Sequence, residues 1–150
     1  MAAEPFVPDD FAVPTGLVAP SFRLEPLGPK HNERDYAAWT SSIVHIRATP
    51  GFERGWPREM TLEENRADLE RHAEDFRWRR GFTYTVLDPD GDDVIGCVYI
   101  YPARESSADA RVLSWVRADR AALDAELRRT VAAWLADAWP FAAVDYDLPD

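Results

Sequence analysis

The sequence has few residues that could cross-link the chain or bind a metal. Cys97 is its single cysteine, which excludes an internal disulfide and fits a reducing compartment. The histidines, His31, His45 and His72, are far apart, and no Cys or His pair has the spacing of zinc ligands. The sequence therefore predicts neither a disulfide framework nor a metal site.

Positive charge and long apolar runs are also scarce. The net charge is −10 and the pI is about 4.7, which would repel a phosphate backbone. No apolar run approaches the roughly 20 residues of a membrane helix. The first 20 residues carry acidic residues and prolines where a secretory signal needs basic and apolar ones. We expect a cytoplasmic, soluble protein that binds neither nucleic acid nor membranes.

What is present suits a single folded domain. A chain of 150 residues that is 46% hydrophobic, with six tryptophans, can fill one core. Prolines make residues 1–21 an extended segment that either wraps the domain or stays loose. We therefore predict a proline-rich segment over 1–21 and one domain over 22–150.

Hydrophobic spacing predicts a strand followed by two helices. The run FRLEPL, residues 22–27, alternates as a short strand does. From about Glu33 until Pro50, apolar residues recur at steps of three and four, as on one helical face. TLEE, residues 61–64, has the spacing of a capping box and begins the second helix, for which Gly81 is the expected left-handed cap.

The second half of the chain is rich in β signals. The runs FTYTVLD and DVIGCVYIYP flank PDGD, which is typical of a hairpin, and Gly96 indicates a bulge or a close backbone approach. ARVLSWVRA follows as a further strand. It leads into an amphipathic helix that Pro140 ends, and FAAVDY is the last strand.

The order and wording of these segments resemble the GNAT acetyltransferase superfamily. FRLEPL is similar to the family's first strand, the hairpin to its second and third, and VLSWVRAD to its fourth. The resemblance covers roughly residues 22–146. It implies an α/β fold with a mixed, mostly antiparallel sheet and helices on both faces. Because the family normally continues past its fifth strand, we expect this version to be truncated at the C-terminus.

The resemblance also implies that acetyl-CoA donates an acetyl group to an amine. In the family, the backbone of the fourth strand holds the pantetheine arm, which corresponds here to Ser114, Trp115 and Val116. Arg117 and Arg120 are then candidates to hold the phosphates.

The phosphate-binding loop departs from the family pattern. The family has a glycine-rich loop there, whereas this chain has no glycine after Gly96. Glycines let backbone amides approach phosphates closely, and acidic residues such as Asp119 compete for the same amides at a helix start. This departure places acetyl-CoA binding in doubt.

Several aromatic and titratable residues are candidates for an acceptor pocket. Tyr99 and Tyr101 alternate along one strand and share a sheet face, as ordinary half-buried sheet aromatics also do. Trp56 lies in a loop that closes over the acceptor in the family, or it packs on the core. His45 is either a base or a structural histidine. Tyr146 lies nearest to the family's general acid, or is an aromatic at a frayed end.

Two functions follow from these observations. The first is an acetyl-CoA-dependent N-acetyltransferase acting on a small amine. The alternative is a catalytically degenerate protein with the same fold that binds a ligand or another protein. An exposed edge of the last strand also predicts a homodimer.

Overall fold

The fold is built on a single sheet whose strands lie side by side in chain order. Within residues 5–149, which the computed structural model describes, the strands are β1 (Leu17–Val18), β2 (Arg23–Pro26), β3 (Phe82–Leu87), β4 (Val94–Pro102), β5 (Ala110–Val116) and β6 (Val144–Tyr146). Neighbouring strands are antiparallel except β5 and β6, which are parallel. The predicted mixed, mostly antiparallel sheet is confirmed.

Helices cover both faces of this sheet. Helices α1 (Asn32–Thr40), α2 (Ile43–Arg47) and α3 (Leu62–Arg77) pack on one face, and α4 (Asp124–Ala138) packs on the other. The strands serve both layers because successive side chains alternate between faces. Thus Trp115 of β5 is buried beneath the first layer, and Val116 beneath the second.

The early helical run is two helices rather than the single one predicted. It breaks after Thr40, at the hydroxyl-bearing residues 40–42. Thr40 Oγ1 donates to the carbonyl of Tyr36 at 2.7 Å, and Ser41 Oγ donates to the carbonyl of Ala38 at 2.7 Å. Short hydroxyl side chains compete for backbone carbonyls in this way and favour helix ends. The spacing of apolar residues continues across residues 40–42, so it gives no indication that the helix is interrupted there.

The start of α3 is as predicted, but its end is not. The capping box is present, with Thr61 Oγ1 accepting from the Glu64 amide and Glu64 Oε1 accepting from the Thr61 amide. The left-handed residue after the helix is Arg79, with φ of 61°, and not Gly81. The Arg79 guanidinium donates to the carbonyls of Pro8 and Phe11, which holds this conformation.

The predicted hairpin is confirmed as β3 and β4, and the close approach at Gly96 is also present. A Cβ on Gly96 would clash with the backbone carbonyl oxygen of Trp115 on the neighbouring strand. The predicted final helix and strand are α4 and β6. Arg128 of α4 is a buried charged residue, with 4% of its surface exposed.

The N-terminal segment wraps the domain over its described part. Val7 is buried in the core, the Tyr84 hydroxyl donates to the Pro14 carbonyl at 2.5 Å, and β1 adds to the sheet beside β2. Residues 1–4 lie outside the described part of the chain. Over residues 5–149, no helix is both long and apolar enough to cross a bilayer.

Candidate functional site

A pocket of about 350 Å³ opens on the sheet face that carries α1 to α3. Its walls come from α1, α3, the loop that joins α2 to α3, and strands β4 and β5. A pocket of this size falls within the range of small-molecule sites. Its lining combines aromatic rings with a small number of polar groups, and these polar groups decide what it can bind.

Aromatic side chains form one wall of the pocket. Phe52 and Trp56 come from the loop, with ring centroids 5.8 Å apart, and Tyr99 of β4 lies 6.0 Å from Phe52. Trp56 also packs 6.1 Å from Trp115. The Tyr99 hydroxyl accepts a hydrogen bond from Trp115 Nε1 at 3.0 Å, and burial raises the pKa of Tyr99. Tyr99 is therefore a neutral wall residue at ordinary pH.

His72 lies in the pocket wall within a defined hydrogen-bond network. Its Nδ1 is 3.0 Å from the Tyr101 hydroxyl and 3.1 Å from Thr83 Oγ1. The Tyr101 hydroxyl donates to Asp75 Oδ2 at 2.8 Å. Because this donation uses the phenolic proton, the contact between His72 Nδ1 and Tyr101 is a hydrogen bond only in the tautomer that carries the proton on Nδ1. Nε2 then carries a free lone pair.

The environment of His72 keeps it neutral. Burial is the main cause that lowers the pKa of His72 to about 4, and the nearby Arg71 acts in the same direction. At pH 7 the ring is therefore an acceptor at Nε2. A neutral imidazole in a pocket is suited to accept a proton or a hydrogen bond from a bound ligand.

Asp35 of α1 is a buried carboxylate in the same pocket, with 4% of its surface exposed. Its Oδ2 accepts from Asn65 Nδ2 at 3.1 Å, while Asn65 Oδ1 accepts from Trp39 Nε1 at 3.0 Å. Because an indole nitrogen only donates, Trp39 fixes the orientation of the Asn65 amide and thereby aims its NH₂ group at Asp35. Burial raises the pKa of Asp35 to about 6.

The structure places three of the four predicted pocket residues together. Trp56, Tyr99 and Tyr101 line the pocket, whereas His45 is half-buried on α2 and is not among its lining residues. The spacing of α3 carried a signal for His72, which lies seven positions after Asn65 and so shares its helical face. This spacing indicates that the two residues share a helical face, but it does not indicate which residues of the strands contact His72.

At the junction between β5 and α4, both candidate arginines and the Ala118 amide are already engaged within the chain. Arg117 Nε donates to Asp119 Oδ1 at 2.9 Å, and Arg117 holds the pKa of Asp119 below its usual range. Arg120 lies 3.4 Å from Asp88, and the Ala118 amide donates to an oxygen of the α1–α2 break, Ser42 Oγ, at 2.8 Å. Both candidate phosphate-binding arginines are therefore paired with carboxylates.

A short 3-10 helix, Ala118–Leu123, fills the place of the glycine-rich loop and runs directly into α4. The Asp124 amide donates to the Ala121 carbonyl in its last turn. A helix entered from a preceding turn has fewer free amides than one that starts from an extended loop. The amides of Ala118, Arg120 and Asp124 at this junction are therefore already hydrogen-bonded within the chain.

Pairing between β5 and β6 stops at Val112 and Tyr146, where β6 ends, and this end of the pairing is called the divergence below. Their register covers only Ala110 to Val112 of β5, so in the described chain the edge of β5 at Ser114 and Val116 has no strand beside it. The Tyr146 hydroxyl lies 2.6 Å from Ser114 Oγ at this divergence, on the α4 face and opposite the pocket. Burial raises the pKa of Tyr146 to about 12, so the phenol keeps its proton.

An ion pair between buried Arg128 and half-buried Asp124 lies beside the divergence. Arg128 Nε donates to Asp124 Oδ2 at 3.0 Å, and Arg128 Nη1 donates to the Asp147 carbonyl at 2.6 Å. Arg128 also lies 6.0 Å from the ring centroid of Tyr146. The helix side of the divergence is thus filled by the chain's own side chains.

The sequence matches no protein-family model and shows no significant similarity to a curated protein. Solved structures nevertheless share its fold. Ribosomal-protein-S5-alanine acetyltransferase from Vibrio fischeri has a TM-score of 0.63 at 11% identity, over 81% of this chain and 67% of that one. The microcin C7 self-immunity acetyltransferase MccE, solved with acetyl-CoA and AMP, has a TM-score of 0.59 at 14% identity, over 81% and 67%.

A third likeness is to a GNAT-family acetyltransferase from Bordetella pertussis, with a TM-score of 0.57 at 16% identity, over 80% of this chain and 71% of that one. The chain spans about two thirds of the length of the first two structures. These likenesses agree with the predicted fold. The chain has the GNAT acetyltransferase fold.

Proposed function

We propose that this protein is an acetyl-CoA-dependent N-acetyltransferase that acts on a small amine. The observation that carries the proposal is the position of the pocket. Leu113 of β5 lines it, and Leu113 is adjacent to Ser114, where the free edge of β5 begins. An acceptor in the pocket and a donor lying along that edge would therefore meet at the same stretch of strand.

The structural likenesses support the choice of donor. MccE was solved with acetyl-CoA, and the ribosomal L7/L12 α-N-protein acetyltransferase RimL was solved with coenzyme A. In this chain the unpaired backbone edge at Ser114 and Val116 fits an extended pantetheine arm, because it offers hydrogen-bonding groups without a strand partner. Acetyl-CoA, when bound, supplies an acetyl thioester whose carbonyl carbon an amine can attack.

The chain's own groups would manage the protons of this transfer. An ammonium has no lone pair, so a bound ammonium would first release one proton to solvent. The neutral amine then loses its second proton as its N–C bond forms, and neutral His72 can accept that proton at Nε2. The leaving thiolate needs a proton as the C–S bond breaks. Tyr146 stays protonated and lies at the divergence, so it is the group we assign to this step.

The pyrophosphate would be held less well than the pantetheine arm. Arg117 and Arg120 would have to exchange Asp119 and Asp88 for phosphates, since both are paired within the chain. We therefore expect coenzyme A to bind weakly and with much of its affinity in the pantetheine part.

Isothermal titration calorimetry with coenzyme A and with pantetheine tests this proposal. We expect both to bind in the millimolar range, with a small difference between them. The His72→Gln variant serves as the control, because His72 lies in the acceptor pocket and its loss should leave coenzyme A binding unchanged. Absence of a binding heat at millimolar coenzyme A and acetyl-CoA would overturn the proposal.

The engaged junction favours a second candidate, a catalytically degenerate GNAT-fold protein that binds a ligand in the pocket without a donor. The hydrogen bond from the Ala118 amide to Ser42, together with the arginine pairs, is the observation that supports it. In this case ligand binding persists while coenzyme A binding fails.

Homodimer formation through the open side of β6 also stays a prediction, and sedimentation at high protein concentration would test it.

A further inference from the structure

The geometry points to a recognition site for a cationic amine at Asp35, with the pocket selecting ligands that carry an ammonium group and no carboxylate. The ammonium ligand would be the acetyl acceptor only if the proposed function holds. The binding site itself depends only on the residues of the pocket.

Asp35 is a buried carboxylate without a counter-ion inside the described chain. Among residues 5–149, no ion pair includes it, and its recorded partner is the neutral amide of Asn65 at 3.1 Å. The neighbouring charge that acts on it is Asp68, which is also negative. Burying a charge without a partner costs free energy, so a site of this kind favours a ligand that brings the opposite charge.

The cationic side chains of the pocket do not supply that charge. Arg71 lies 2.8 Å from Asp68 across one helical turn, and Arg111 lies 3.1 Å from Asp145. His72 is neutral at pH 7. Each arginine is matched by its own carboxylate, which leaves Asp35 as the unbalanced charge facing the pocket.

The rest of the pocket suits a small organic cation. The faces of aromatic rings attract cations, and Phe52, Trp56 and Tyr99 form the wall of the same pocket. The volume of about 350 Å³ accommodates a ligand with a short alkyl or aryl body. Because both arginines are already paired, a ligand carboxylate finds no free cation there.

The position of Asp35 is fixed before any ligand arrives. Trp39 Nε1 orients Asn65, and Asn65 Nδ2 donates to both Asp35 at 3.1 Å and Asn32 Oδ1 at 2.9 Å. A polar relay of this kind holds a carboxylate in one geometry, so little side-chain entropy is lost on binding. Trp39 and Asn65 are positioning residues in this description.

Calorimetry with charged and neutral probes of the same shape tests the inference, in the absence of acetyl-CoA. Benzylammonium and phenethylammonium are compared with benzyl alcohol, 2-phenylethanol and phenylacetate at pH 8. We expect at least one ammonium probe to bind ten or more times more tightly than its alcohol, with phenylacetate weakest. The Asp35→Asn variant should reduce this preference to less than threefold. The matched variant Glu33→Gln, at an exposed carboxylate of the same helix outside the pocket lining, should keep it.

Three results would overturn the inference: no ammonium probe binds the wild-type protein, an ammonium binds no better than its alcohol, or Asp35→Asn keeps the preference. If Asp35→Asn does not fold, carboxyl ¹³C NMR of the wild-type protein provides the decision. Saturating ammonium should lower the pKa of Asp35, and an unchanged pKa would contradict the site. Failure of coenzyme A binding with retained ammonium binding would reject only the proposed function.

Discussion

The pocket and the junction between β5 and α4 differ in whether their charged residues are paired. At the junction Arg117 and Arg120 are matched by carboxylates at 2.9 and 3.4 Å, so this region is electrostatically complete without a ligand. In the pocket Asp35 has no cationic partner in the described chain, and His72 is held neutral by burial. Unbalanced buried groups mark functional sites more often than balanced ones. This comparison is the reason why we propose the pocket as the functional site.

The largest effect is expected from breaking the relay that holds Asp35. Asn65→Ala removes the acceptor of Trp39 Nε1 and the donor to Asp35, which leaves buried polar groups unpaired. We expect a loss of about 3 to 5 kcal/mol in the free energy of unfolding. Urea denaturation measures it. The matched junction variant Asp119→Ala, at an exposed ion pair, should leave the midpoint unchanged.

Next in size is the removal of the buried charge. The pKa of Asp35 is raised from 3.8 to about 6, so its contribution to stability is fully present below about pH 4 and is lost as the pH rises through 6. Asp35→Asn should therefore raise the free energy of unfolding at pH 8 by up to about 3 kcal/mol. It should also abolish this pH dependence. Destabilisation at pH 8 would show that Asp35 has a structural role.

His72 makes the free energy of unfolding depend on pH with the opposite sign to Asp35 and a similar size. Its pKa is lowered from 6.5 to about 4, so its contribution is present above pH 6.5 and is lost as the pH falls through 4. Between pH 4 and 6 the two groups oppose each other. Urea titrations across this range should show that the free energy of unfolding of His72→Gln increases relative to that of the wild-type protein as the pH falls. Parallel pH profiles for the two proteins would contradict this description.

The smallest effect is expected at the junction. Asp119→Asn releases Arg117 from its carboxylate and makes it available to a phosphate. We expect severalfold tighter coenzyme A binding and no change in pantetheine binding, as measured by calorimetry. Equal affinities for coenzyme A before and after the change would show that the junction does not contribute to phosphate binding.

Local sequence signals predicted most of the fold and only part of the site. The capping box at Thr61 and the hairpin around Gly91 are encoded by neighbouring residues, and both are present. The partners in the pocket are separated by long stretches of chain, as are His72 and Tyr101, which are 29 positions apart. A helical face can be read from spacing, but the strand it meets depends on tertiary packing.

The same reasoning explains the differences at the junction and at His45. Missing glycines indicated an altered loop, yet the hydrogen bond between Ala118 and Ser42 spans 76 positions and has no local signal. His45 is flanked by apolar residues in the sequence, but α2 is a separate short helix and places it away from the pocket lining.

The measurement that tests the account most directly is release of free thiol from acetyl-CoA in the presence of an ammonium probe that binds the pocket. The account predicts thiol release that depends on both substrates, and a loss of about 100-fold or more in kcat for His72→Gln without a change in coenzyme A affinity. Thiol release at the same rate in His72→Gln, or none above background in the wild-type protein, would contradict it.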